Sequence, residues 1–204
     1  MEQAINIYND AVRARDGSVA EPLGQPDSEP SLKIAPVLAP HETRITIILP
    51  TNAYFMSGVR DFTMHIVQNM TGFPQKWAFR FQSIVDELSN NAIEHGSTAG
   101  KEVKVTFVSK EGESIEVIVD DTGTGPRAVT AEEMYTILRE RQAMLASRSY
   151  SGIRGRGLAQ IVSQWTDVLK FDNIPGGGLR VSALKHLDIS EKTKTGPENT
   201  IHIT

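Results

Sequence analysis

Apolar and polar positions alternate along this chain with periods that change sharply at glycine and proline. In residues 75–95, Ile84, Val85, Leu88, Ala92 and Ile93 fall on one face at helical spacing, and Glu87, Asn91, Glu94 and His95 form a polar set of their own. This predicts a helix over 75–95, ended by Gly96. Upstream, Phe55, Val59, Phe62, Met64, Ile66, Val67 and Met70 predict a helix over 53–70 with a broad apolar stripe. Thr51 or Asn52 can cap it, Gly72 stops it and Pro74 opens the next turn. The β-branched run at 44–50 reads as a strand. Val103, Val105 and Phe107 alternate with Lys104 and Thr106, which is the pattern of a half-buried strand over 102–108. Glu111-Gly112-Glu113 turns it back into a partner strand over 114–120. A capping box from Thr130 to Glu133 opens a helix over 130–146. A helix over 157–165 and strands over 167–172 and 179–187 complete the set, the last two joined by the tight turn NIPGGG.

Five strands and four helices in this order predict an α/β fold, more closely an α+β two-layer sandwich with helices on one sheet face. Charged residues at alternate strand positions, such as Lys104 and Glu116, mark the other face as wet.

The ends read differently. Ile5, Tyr8 and Val12 fall near one face of a short helix within residues 1–15. Residues 16–43 then carry Pro22, Pro26, Pro30, Pro36 and Pro40, half of the chain's 10 prolines, and read as a linker without a core of its own. The expected organisation is a flexible extension over 1–43, one domain over 44–187 and a polar tail over 188–204.

Composition narrows the classes. The chain has 204 residues, enough for one domain with a proper core. A formal charge of −4 offers no general basic surface for nucleic acid. The absence of cysteine removes disulfides and thiolate metal sites. No apolar run approaches the roughly 18 residues of a membrane span, and the first residues lack the basic start and apolar core of a signal peptide. A cytoplasmic protein is expected.

Three stretches carry candidate chemistry. On the 75–95 helix Glu87 and Asn91 are one turn apart and point the same way. The Asn91 carboxamide oxygen is a hard ligand suited to Mg²⁺, and the Glu87 carboxylate can orient and deprotonate a hydroxyl or water. The strand over 114–120 delivers Asp120 and Asp121 into a turn with Gly123 and Gly125. A carboxylate on such a pocket floor can accept a hydrogen bond from an exocyclic amine such as adenine N6. Asp86 and Asp120, as immediate neighbours of the proposed acids, are expected to face elsewhere. Finally, Gly152, Gly155 and Gly157 precede an apolar helix, where backbone can approach phosphate and a helix N-terminus offers free N–H groups.

The succession Glu-x-x-x-Asn, Asp-x-Gly-x-Gly and Gly-x-Gly before a helix resembles the GHKL ATPase superfamily with its Bergerat nucleotide-binding fold. Within it, the Asn-Ala-x-x-His-Gly run at Asn91–Gly96 is most similar to the anti-sigma factor serine kinases of bacteria. The resemblance spans about residues 44–187 and implies a mixed, mostly antiparallel sheet. It implies ATP and Mg²⁺ as cofactors, Glu87 as catalytic base and Asn91 as the metal ligand. Asp121, Gly123 and Gly125 would hold adenine, and Arg154, Gly155, Arg156, Gly157 and Leu158 would hold phosphate. His95, one turn after Asn91, belongs to this site as a structural hydrogen-bond partner rather than a phosphoacceptor. The segment 126–154 corresponds to a mobile ATP lid, with Arg139, Arg141, Arg148, Arg154 and Arg156 able to neutralise phosphate. The implied partners are an anti-sigma-factor antagonist-like protein that accepts phosphate on Ser or Thr, a sigma factor or other regulated protein, and a second copy in a homodimer. The family often has Gly-Thr at the start of the last strand, where this chain has Gly178-Leu179; that departure puts one nucleotide contact in doubt. Two other readings remain open. One is the ATP-binding part of a histidine kinase system, which is disfavoured because Asn usually stands there in place of Glu87 and no phosphoacceptor histidine motif surrounds His41 or His65. The other is a binding module that uses nucleotide only to set its shape.

Overall fold

A computed structural model describes residues 31–34, 42–147 and 157–188. Its frame is a six-stranded sheet built from β1 (Ser31–Ile34), β2 (Glu42–Pro50), β3 (Glu102–Lys110), β4 (Ser114–Asp120), β5 (Val168–Asn173) and β6 (Leu179–His186), in the order β1-β2-β3-β4-β6-β5. Every pairing is antiparallel, a narrower outcome than the mixed sheet expected. Strand alternation sets the layers. Ile45, Ile47 and Leu49 of β2, Val103, Val105 and Phe107 of β3, and Ile115, Val117 and Val119 of β4 are all buried on one face. Register carries the other face across the sheet in rows, one of which runs Ile48, Lys104, Asp120, Arg180.

Helices α1 (Met56–Met70, after a 3₁₀ turn at Ala53–Phe55) and α2 (Gln75–Asn91) cover the buried face. Asn52 caps the first turn by accepting a 2.9 Å hydrogen bond from Tyr54 N–H. The buried residues of α1 are Met56, Val59, Thr63, Ile66 and Val67, while Arg60, Asp61, His65, Gln68 and Asn69 on its far side are exposed. The stripe of α1 is therefore core packing, and the helix offers no continuous apolar surface outward. Arg60 ties α1 to α2 through Asp86 (2.6 Å), so Asp86 does face away from Glu87's role. On α2, Trp77, Phe81, Ile84, Val85 and Leu88 are buried, and Arg80 stacks 4.5 Å from the Trp77 ring centroid.

Three features differ from the sequence reading. Ser31–Ile34, within the stretch read as linker, pairs with β2 opposite Ile45–Ile48. Leu32-Lys33-Ile34 is a short alternating run between Pro30 and Pro36, and it satisfies backbone groups on an otherwise open edge. Glu42 and Thr43 of the 1–43 extension already belong to β2, and residues 1–30 and 35–41 lie outside the described residues. The 75–95 helix is α-helical only to Asn91 and then widens into a π-helical turn, Ala92–Gly96. The last helix, α4, is likewise π-helical over Gly157–Val162 before a short α-helical end at Ser163–Trp165.

The helix of the proposed lid, α3 (Ala131–Ala146), opens with the predicted Thr130/Glu133 capping box. Its first turns are fastened to β5 rather than standing free. The Tyr135 hydroxyl accepts a 3.1 Å hydrogen bond from Phe171 N–H, and the two rings meet edge to face at 4.9 Å. Asn173 accepts from Ala131 N–H at 2.8 Å and donates to Glu132. Tyr135 thus also satisfies a backbone donor on the β5 edge. No helix among the described residues is long and apolar enough to cross a membrane.

Candidate functional site

The site forms where the end of α2 meets the loop after β4. Helical periodicity puts Glu87 and Asn91 on one face, both half-buried, and Asn91 Nδ2 donates a 3.1 Å hydrogen bond to Glu87 Oε1. That bond fixes the carboxamide: its nitrogen is turned to the carboxylate, and among the described residues Oδ1 accepts no hydrogen bond. A lone carboxamide oxygen suits Mg²⁺, which keeps several waters and takes few protein ligands. Among the described residues no cluster of three or more His, Cys, Asp or Glu offers an all-protein metal site.

Asp121 follows directly on β4. Its Oδ1 accepts from Gly123 N–H at 2.8 Å and from Leu179 N–H at 2.9 Å. Burial pushes its carboxyl up from the ordinary range, against the pull of the two backbone N–H groups, and neighbouring Asp120 pushes the same way. Both bonds engage Oδ1, which leaves Oδ2 to face the π-helical turn at Gly96, where a side chain would run into the carboxylate. Gly96 is thus required by contact with Asp121 as well as by the end of the helix. Asp120 points to the opposite sheet face, as expected, and takes both ends of the Arg180 guanidinium at 2.7 Å.

The loop 121–127 is stitched to the π-helical turn by main chain. Gly125 N–H donates to the Gly96 carbonyl at 3.1 Å, and Arg127 N–H to the His95 carbonyl at 3.2 Å. Gly125 has no room for a Cβ because the turn at His95–Ser97 lies against it. Its glycine is therefore set by packing on the turn, where the sequence reading had given it to the approaching base. Gly123 has φ +64° and packs on Gly178 (φ +104°), so the two left-handed residues fit back to back. His95 contributes its carbonyl. Among the described residues its imidazole makes no hydrogen bond, so the expected structural role is carried by main chain instead of side chain.

The phosphate end is seen only from Gly157 onward, since Arg148, Gly152, Arg154, Gly155 and Arg156 lie outside the described residues. Gly157 presses on the Glu87 carboxylate so closely that a Cβ would overlap it. Leu158 is 3% exposed and its side chain belongs to the core, which leaves its backbone as the part that could meet phosphate at the helix start. Arg139 and Arg141 are on α3 beyond its fastened turns. The doubtful position Leu179 is buried, and what it gives the site is its backbone N–H to Asp121. Sequence reasoning had missed Gly96 as a contact residue and Gly178 as the partner of Gly123; the triple glycine 176–178 was the available signal for the latter.

The arrangement can hold a purine amine at Asp121, a phosphate-bound cation at Asn91, and a proton acceptor at Glu87. A family model described as a histidine kinase-like ATPase domain matches residues 49–184, well over half of the chain and the whole of this site. No curated protein matches.

Proposed function

The chain belongs to the histidine kinase-like ATPase family, and from that premise we propose that it is an ATP-dependent protein serine/threonine kinase of the anti-sigma-factor type. Nucleotide binding follows from the family; the acceptor class and the regulatory setting are the proposal. The observation that carries it is the Glu87–Asn91 pair. A histidine kinase system usually has Asn in place of Glu87, whereas here a carboxylate stands one turn from the carboxamide and is hydrogen-bonded to it. A carboxylate at that point is a group that can take a proton from an attacking hydroxyl.

In this reading Asp121 Oδ2 accepts from adenine N6, and Asn91 Oδ1 would hold Mg²⁺. Bound there, such an ion would supply positive charge against the phosphates. The acceptor Ser or Thr hydroxyl gives its proton to Glu87, its oxygen bonds to the γ-phosphorus, and the bond to the β–γ bridging oxygen breaks to release ADP. The protein's part is mostly positioning and charge neutralisation. The phosphoacceptor would be an antagonist-type partner in a partner-switching pathway, whose output is a sigma factor or another regulated protein.

The test is phosphate transfer. Wild type and Glu87→Gln are incubated with γ-labelled Mg-ATP and a soluble lysate of the source organism. Label on a Ser or Thr of one small protein, with wild type only, supports the kinase and identifies its partner. No transfer, with ATP still bound by both forms, favours a nucleotide-set binding module; the close contact of Gly157 with Glu87 suits that second reading.

A further inference from the structure

Two surfaces must keep a constant separation if one nucleotide is to touch both: the adenine side at Asp121 and the metal side at Asn91. They lie on different elements, the loop after β4 and the end of α2. Main-chain bonds join them at Gly125 and Arg127. Beside those runs a set of side-chain hydroxyls that neither the ATPase chemistry nor the helix pattern uses. The Thr124 hydroxyl accepts from Thr98 N–H at 3.2 Å, meets the Thr98 hydroxyl at 3.1 Å and the Thr122 hydroxyl at 2.7 Å. Thr98 is itself held from the end of β2, where the Thr51 hydroxyl donates to its carbonyl at 2.9 Å. Deeper in, the buried Ser97 hydroxyl accepts from Thr122 N–H at 3.1 Å.

We propose that the Thr124 hydroxyl is a positioning group that latches the adenine-side loop to the segment after Asn91, so that base and metal-phosphate bind as one ligand. This rests on the nucleotide-site reading above. Thr124 touches neither Asp121 nor Asn91 in any hydrogen bond; it acts through Thr98 and Thr122, which flank the π-helical turn and the Asp121 loop. Its effect belongs to the linked ligand. The two halves of Mg-ATP gain from being joined only if the two half-sites are held at matching spacing. Loosening the latch lowers that gain and leaves each half-site intact. Because Thr124 and Thr98 are exposed, water can replace part of what is lost, and the change is modest.

The test compares three ligands on the full chain: Mg-ATP, adenosine, and Mg-tripolyphosphate. Thr124→Val keeps the shape and removes the hydroxyl; Thr124→Ser keeps the hydroxyl. The expected result is Mg-ATP weakened about 3- to 10-fold by Thr124→Val, with adenosine and Mg-tripolyphosphate within about twofold and Mg-ATP restored by Thr124→Ser. An unchanged Mg-ATP affinity overturns the latch. Equal loss for adenosine alone also overturns it, because Thr124 would then belong to the base pocket. Wild-type protein that binds no adenine nucleotide overturns the nucleotide-site reading, and the latch with it.

Discussion

Asn91 Nδ2 is hydrogen-bonded to Glu87 Oε1 at 3.1 Å, so the proposed base also orients the proposed metal ligand. The two functions can be separated by choice of substitution. Glu87→Gln retains an acceptor oxygen for Asn91 but cannot take a proton. Phosphate transfer should fall by about 10²- to 10⁴-fold while Mg-ATP affinity stays within about threefold. Glu87→Ala removes both functions and should weaken Mg-ATP as well. Calorimetric titration of the two variants side by side checks this; equal affinities would separate Asn91 from Glu87.

Gly157 against Glu87 gives a second prediction. A methyl group there overlaps the carboxylate, although alanine is the better helix former. Gly157→Ala should therefore lower transfer at least about tenfold with little loss of thermal stability, because the clash is with a functional side chain. Where the displaced carboxylate also disturbs Asn91, Mg-ATP affinity falls with it, and in the Glu87→Ala background, which has no carboxylate to clash, Gly157→Ala should leave nucleotide affinity unchanged. A double-mutant cycle on Mg-ATP binding measures the coupling.

Asp121 has its carboxyl pushed up, chiefly by burial. A raised carboxyl means that the folded protein holds this proton to higher pH than the unfolded chain does. The contribution of Asp121 to stability is then most favourable at low pH and declines as pH rises through the interval between the unfolded and folded values, remaining unfavourable at neutral pH. Asp121→Asn, which keeps an oxygen for Gly123 and Leu179, should leave the fold at least as stable at pH 7 and remove that pH dependence. ATP affinity should nevertheless fall about 10- to 100-fold, since the amide presents a donor or a neutral acceptor to adenine N6. In the wild type, ATP affinity should weaken on acidification before ordinary carboxylates titrate. Melting temperature and ATP affinity across pH test both halves.

Tyr135 on α3 accepts from Phe171 N–H and meets its ring edge to face. Tyr135→Phe keeps the ring and strands the donor, and should cost about 0.5–1.5 kcal/mol in urea unfolding. Amide exchange at Phe171 should quicken. Unaltered exchange would show that the hydroxyl does not protect β5.

The parts of the fold carried by short-range pattern were legible in the chain. The 84-85-88-92 spacing placed Glu87 and Asn91 on one face, the glycines after Asp121 marked a turn, and the Thr130/Glu133 box started a helix in its observed place. What was not legible depends on which segments touch. Nothing local in Gly96 says that Asp121 will lie against it, and nothing in Gly125 says that the His95 carbonyl will. Ser31–Ile34 gains its strand from the neighbouring edge of β2, which a proline-rich stretch does not announce. Nothing local in Leu158 says that its side chain will complete the core. Nothing local in Tyr135 says that β5 will come alongside it.

The π-helical turn at Ala92–Gly96 makes spacing along the chain a quantity in its own right. A π turn accommodates one residue more than an α-helical path. That extra residue determines which carbonyls point to Gly125 and Arg127. Removing Ile93 would leave every named functional residue present and would preserve composition almost unchanged. It would also rotate His95 and Gly96 by about a quarter turn about the helix axis and carry their carbonyls away from the loop. Between Asn91 and Gly96 the site should therefore accept many changes of letter and no change of count.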